Sequence, residues 1–276
     1  MDLTDILLLL KPGRDERGAV QLAARLGRRY GARVRGLCLT PWPSAPAGDG
    51  YAFRAAGMHD VLERLETSIK VRQAQVEEAF RSAMREAGCA LAWNVTELGE
   101  LAAETALRGR NTDLVALTRP EANDLTDLPF AECMIRLSGA PCLLVPKGGE
   151  APVSFDHVVV AWNGSRQAKR ALDDALPFLK DAARVTLLHA GKADGLHEPH
   201  ANLVDSLARK GIQASLAEAP KGEHGPAHSL LDWCADNQAD LLVMGAFGLT
   251  PRAERWFGGT TWTVLTAARL PVLMSC

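Results

Sequence analysis

The chain has 276 residues, 47% of them hydrophobic and 23% charged, with a formal net charge of −2 at pH 7. This is apolar material enough for two cores of ordinary size, and the charge balance gives no electrostatic ground for a nucleic acid or an anionic membrane as partner. The longest apolar run near the start, residues 6–10, stops at Lys11-Pro12; it is too short for a secretion signal or a membrane span, and a soluble, cytoplasmic protein is expected.

In chain order, short apolar runs at 6–10, 34–39, 91–95, 114–118 and 142–145 read as strands. Their continuous Val, Leu and Ile content is that of parallel strands buried on both faces. Between the second and third strands, a Pro-, Gly- and Ala-rich loop at 41–48 leads into a long helix over 59–87. The loop reads as a solvated excursion, with a lid as the alternative. Residues 147–152 are a linker by composition. Strands follow again at 158–162, 185–189, 212–216, 241–245 and 271–274. Apolar residues at helical spacing mark helices over 166–179, capped by Ser165, and over 227–235 and 262–268.

The two halves repeat each other. At an offset of 151, residues 5–13 lie over 156–164, and Ala32-Arg33-Val34 over Ala183-Arg184-Val185. Further along, Thr112-Asp113-Leu114-Val115 matches Ala239-Asp240-Leu241-Leu242, and Ala140-Pro141-Cys142 matches Leu270-Pro271-Val272, as the offset shrinks to about 130. Ordered matches of this kind mean a duplication, with an insertion of about twenty residues in the first copy. The expected fold is α/β: two tandem doubly wound domains, 1–147 and 153–276, each a five-stranded, mostly parallel open sheet with helices on both faces.

Ligands of open α/β sheets settle at the carboxyl ends of the strands. Two segments of the second copy meet there: Ala161-Trp162-Asn163-Gly164-Ser165, and Met244-Gly245-Ala246-Phe247-Gly248 followed, nine residues on, by Gly258-Gly259-Thr260-Thr261. Glycines after a strand let backbone N–H groups approach an anion, and the later glycines open a helix whose N-terminus favours phosphate. Alternatively, the same glycines simply make a tight strand-to-helix turn. Arg252 and Arg255 lie in the intervening loop, either within reach of phosphates or on a solvated basic face. In the first copy Pro12 stands at the position of Asn163, and 117–121 carry no glycine but a carboxylate, Glu121, near the phosphate position. That copy is read as a structural half that has lost its ligand.

At these residues the sequence resembles the universal stress protein family in its tandem form. Gly245, Gly248 and Gly258 reproduce the family's Gly-x2-Gly-x9-Gly, with Gly259 where a hydroxyl residue is usual. The resemblance implies the adenine nucleotide alpha hydrolase-like fold and ATP or AMP held in the second copy. It places Asn163, where nucleotide binders of the family carry Asp, beside the nucleoside, and Gly245, Gly248, Gly258 and Thr260 around the phosphates. Ala161, Trp162, His189, Met244, Phe247, Gly259 and Thr261 complete the candidate site. Trp162 stands beside the base pocket, either to stack on a base or to block it.

Histidines gather in the second copy; His224 and His228 have zinc-compatible spacing, and His197-x2-His200 lies apart, without a further ligand at firm spacing. No metal is expected beyond one accompanying a nucleotide. No nucleophile elbow, Walker A or dinucleotide fingerprint is present. The six cysteines are scattered and read as core thiols. The resulting expectation is a non-catalytic stress-response protein that binds a nucleotide. The alternatives are a ligand-free interaction protein and a slow ATP-hydrolysing enzyme. A homodimer through the last strands, ending at Val145 or Cys276, or an intramolecular pseudo-dimer, is expected.

Overall fold

The computed structural model describes residues 2–41, 57–98, 102–121, 126–148, 154–190, 200–220, 222, 224–248 and 259–276. The 42–48 part of the proline-rich loop, residues 149–152 of the linker, His197, Arg252, Arg255 and Gly258 lie outside them.

The first half contains β1 (Asp5–Leu10), α1 (Arg17–Tyr30), β2 (Arg33–Pro41), α2 (Gly57–Ala87), β3 (Leu91–Leu98), α3 (Ala102–Gly109), β4 (Leu114–Thr118), α4 (Asp127–Leu137) and β5 (Cys142–Val145). The second contains β6 (His157–Ala161), α5 (Arg166–Asp174), α6 (Leu176–Asp181), β7 (Arg184–His189), α7 (His200–Arg209), β8 (Ala214–Glu218), α8 (Pro226–Asp236), β9 (Leu241–Gly245), α9 (Thr260–Ala267) and β10 (Val272–Ser275). The helix expected over 166–179 is broken at Ala175, because Pro177 in the first turn of α6 has no N–H to continue the α5 ladder.

Strand order is β3-β2-β1-β4-β5-β10-β9-β6-β7-β8, one ten-stranded sheet. The first half runs β3-β2-β1-β4-β5 and the second repeats that order in mirror sequence. Every pair is parallel except β5 and β10, which run antiparallel with Leu143 opposite Leu273. The last strands, expected at an edge available to another copy, therefore satisfy each other within the chain. The two expected five-stranded sheets become one, joined within the chain at β5 and β10. Antiparallel pairing of two short apolar strands removes both edges at once, and β5 and β10 are buried throughout.

The free edges are β3 and β8. For β8 this corrects the expectation of a strand buried on both faces, since Ser215 and Leu216 are exposed. One apolar layer packs α1, α2, α5, α6 and α7 on the sheet; the other packs α3, α4, α8 and α9. The inserted α2 docks through Phe80 and Met84, both fully buried, with Phe80 5.3 Å from the Trp93 ring of β3. On the α1–α6 side, Tyr30 stands edge-on to Phe178 at 5.9 Å, and Arg29 pairs with Asp181 at 2.7 Å.

All six cysteines are free thiols. Burial pushes Cys38, Cys142 and Cys234 up to about 12, so these three are inert core residues.

Candidate functional site

The site begins with a sharp exit from β6. Asn163 Oδ1 accepts the N–H of Ser165 at 3.1 Å, Gly164 takes a left-handed φ of +72°, and Ser165 Oγ accepts the N–H of Ala168 at 3.1 Å as the N-cap of α5. This Asx turn followed by a cap throws α5 back across the end of β9. There Gly245 lies so near α5 that a Cβ would stand 2.5 Å from the backbone nitrogen of Ala168. Gly248 has ordinary room, with Gln167 Oε1 3.8 Å from its would-be Cβ.

Between them Phe247 holds a positive φ of 55°, rare for a bulky residue. Its N–H donates to Thr261 Oγ1 at 3.2 Å, and Thr261 belongs to the first turn of α9. The segment 245–248 is thus set between the first turns of α5 and α9, two helix N-termini whose leading N–H groups have no helical acceptor. Gly259 and Thr260 are half-buried where α9 begins. Helix N-termini carry partial positive charge, which in general favours an anion.

A second group of expected residues forms a concavity at the carboxyl ends of β6, β7 and β8. Trp162, Leu187, His189, Leu216, Ala217 and Glu218 line a cleft of about 200 Å³. The His189 ring is fixed by Nδ1, which donates to the Trp162 carbonyl at 3.1 Å. His189 stands in register with Glu218 on the neighbouring strand, a carboxylate two residues beyond the expected end of that strand at 216.

Other expected site residues are occupied internally. Met244 is buried in the core, as is the Phe247 ring, which lies 6.2 Å edge-on from Trp262. Ala161 is held in the sheet opposite Met244 and Leu188. Asn163 is exposed, and its side chain shapes the turn.

In the first half the matching crevice is filled. Asp127, the first residue of α4 as Thr260 is of α9, is 3% exposed and paired with both Lys11 and Arg14. Glu16, also buried, accepts from the Lys11 backbone N–H at 3.0 Å and from the Thr118 hydroxyl; burial raises its pKa above the usual carboxylate range. The space left among these groups is about 10 Å³. Glu121, expected in the crevice, instead pairs with Lys147 at the surface. The acids inside are Glu16 and Asp127, whose distance in sequence from the strand end hid them.

His228 Nδ1 approaches the His224 carbonyl at 2.9 Å, and the two rings stand 5.7 Å apart. Among the described residues no group of three or more His, Cys, Asp or Glu is placed to hold a metal ion. Among those residues no helix is long and apolar enough to cross a membrane.

Parallel strands with helices on both faces, and a glycine turn set against helix N-termini, define an α/β protein of the adenine nucleotide alpha hydrolase-like fold. Residues 154–275 match the model of the Universal stress protein family. The curated Universal stress protein YxiE of Bacillus subtilis (strain 168) is 27% identical over 149 residues, covering 44% of this chain and 98% of that protein. The family match falls on the second half of the chain. A universal stress protein of Archaeoglobus fulgidus DSM 4304 is similar over 98% of this chain and 95% of its own, at 15% identity and a TM-score of 0.72. A protein of Pseudomonas aeruginosa PAO1 is similar over 99% and 92%, at 16% identity and a TM-score of 0.59. These two likenesses concern the fold, and they extend it over both halves.

Proposed function

We propose that the chain is a tandem universal stress protein of two domains, 1–147 and 153–276, acting in the cytoplasm without catalysis and binding ATP or AMP in the second domain. The observation that carries this reading is the seating of Gly245–Gly248 between the first turns of α5 and α9. Backbone N–H groups and helix N-termini stabilise phosphate without a charged side chain, and this loop abuts the first turns of two helices, so a neutral Asn163 does not remove the site. The cleft beside Trp162 offers an aromatic wall for the base. The first domain, its crevice closed by Lys11, Arg14, Glu16 and Asp127, serves as the structural half.

Titration calorimetry with ATP, ADP and AMP tests this. Binding in the micromolar range is expected, and it should be lost in Gly248→Val, where the fold has room for a Cβ and the ligand would not. Absence of binding at millimolar nucleotide overturns the proposal in favour of a ligand-free interaction protein. Steady release of ADP or AMP from ATP would overturn the non-catalytic part of it.

A further inference from the structure

The second-domain loop is braced from the first domain. Arg136, in the last turn of α4, places its guanidinium carbon 3.9 Å from the centroid of the Phe247 ring. Its Nε donates to Glu132 Oε1 at 2.9 Å, one helical turn back, which fixes the guanidinium plane against the ring. Phe247 is 4% exposed. It pays for its left-handed backbone with packing, and the packing on one side comes from Arg136. A second arginine of the first domain, Arg119, follows β4 and donates Nη1 to the Leu265 carbonyl at 3.3 Å and to that of Thr266. Those carbonyls close the C-terminal end of α9, where a cation complements the helix dipole. The first domain thus grips both the loop 245–248 and the far end of the helix whose first turn faces it.

We propose that Arg136 is a positioning residue for the ligand site of the second domain: by stacking on Phe247 it holds the left-handed backbone that bonds the Phe247 N–H to the first turn of α9 and leads into Gly248. A duplicated domain that has filled its own crevice then has a second use, as the fixed wall against which its twin's anion loop is shaped. The inference rests on the proposed nucleotide binding for its ligand, but not for its geometry. Without the guanidinium, the Phe247 ring gains freedom and the loop relaxes toward ordinary backbone angles, because a bulky residue at positive φ persists only where its surroundings over-determine it.

The test pairs ATP titration with amide hydrogen exchange on the full chain. In Arg136→Ala, ATP affinity is expected to fall about ten-fold, equivalent to about 1.4 kcal/mol and within the range of a desolvated cation–π contact. The Phe247 amide, bonded to Thr261 in the parent protein, should exchange faster while β9 and β10 keep their protection. Arg136→Lys, which retains charge without the planar stack, should fall between. In a Phe247→Gly background, which adopts the same φ unaided, Arg136→Ala should have no further effect on exchange at position 247. Should Arg136→Ala fail to fold, Arg136→Lys, alone and in the Phe247→Gly background, carries the test. Unchanged ATP affinity with an unchanged Phe247 amide overturns the role of Arg136 and leaves nucleotide binding standing. A parent protein that binds no ATP, but whose Phe247 amide still responds to Arg136, overturns the nucleotide reading and leaves the brace standing.

Discussion

Gly245 and Ala168 are in such close approach that a single added methyl at position 245 would fall 2.5 Å from the Ala168 nitrogen. No flexible side chain intervenes, so either α5 or β9 must move. Gly245→Ala is expected to destabilise the protein by about 1–3 kcal/mol, the usual cost of overpacking, as measured by urea denaturation. Gly248→Ala, three residues on and meeting nothing nearer than 3.8 Å, should stay within about 0.5 kcal/mol. Equal effects at the two glycines would show that close approach is not what position 245 requires.

Asp127 is the common partner of Lys11 and Arg14 in an almost solvent-free crevice. Breaking a buried ion pair from one side leaves like charges facing one another, so Asp127→Ala should cost about 3–5 kcal/mol. Lys11 also sits 4.5 Å above the Phe130 ring, which keeps it in place after the carboxylate is gone. Denaturation midpoints of parent and variant that coincide would refute the clamp.

His157 opens β6 at the end of the sheet opposite the site. Its ring is buried: Nε2 contacts Thr186 Oγ1 at 3.0 Å, and Arg184 Nη2 lies 2.7 Å from Nδ1. Burial first, and the Arg184 charge after it, hold the imidazole below its ordinary pKa of 6.5, against the opposing pull of the Asn237 carbonyl and Asp240. Below pH 6.5 the unfolded chain therefore takes up a proton that the folded chain resists. The associated stability is present above pH 6.5 and lost as the pH falls through the folded value. Unfolding free energies measured from pH 7.5 to 5 should decline for the parent and flatten in His157→Gln; parallel curves would refute the assignment.

Much of this was legible in the chain itself. The run 114–118 is β4 residue for residue, and 241–245 is β9, because a strand buried on both faces is apolar without interruption and its limits are local. The cap at Ser165 was legible for the same reason. Strand β8 was placed early because, at a sheet edge, nothing compels an unbroken apolar run, and Ile212 belongs to the approach rather than the ladder. The candidate site was legible as a set of glycines but not as a division of labour. Nothing near Phe247 in sequence says that its ring is buried beneath Arg136, 111 residues away. Nothing beside Glu121 says that Glu16 and Asp127 take the crevice instead.

By itself, the sequence determined the duplication, the alternation of strands and helices, and the glycine turn after β9, all written in patterns that span a few residues or repeat in register. Tertiary structure alone decided that β5 and β10 would pair with each other, that one half would close its crevice with its own charges, and that Arg136 of that half would reach the loop of the other. Those outcomes depend on side chains brought together from more than a hundred residues apart, as Lys11 and Asp127 are. Local periodicity carries no record of such meetings; they follow only when the sheet has fixed which strand ends lie side by side.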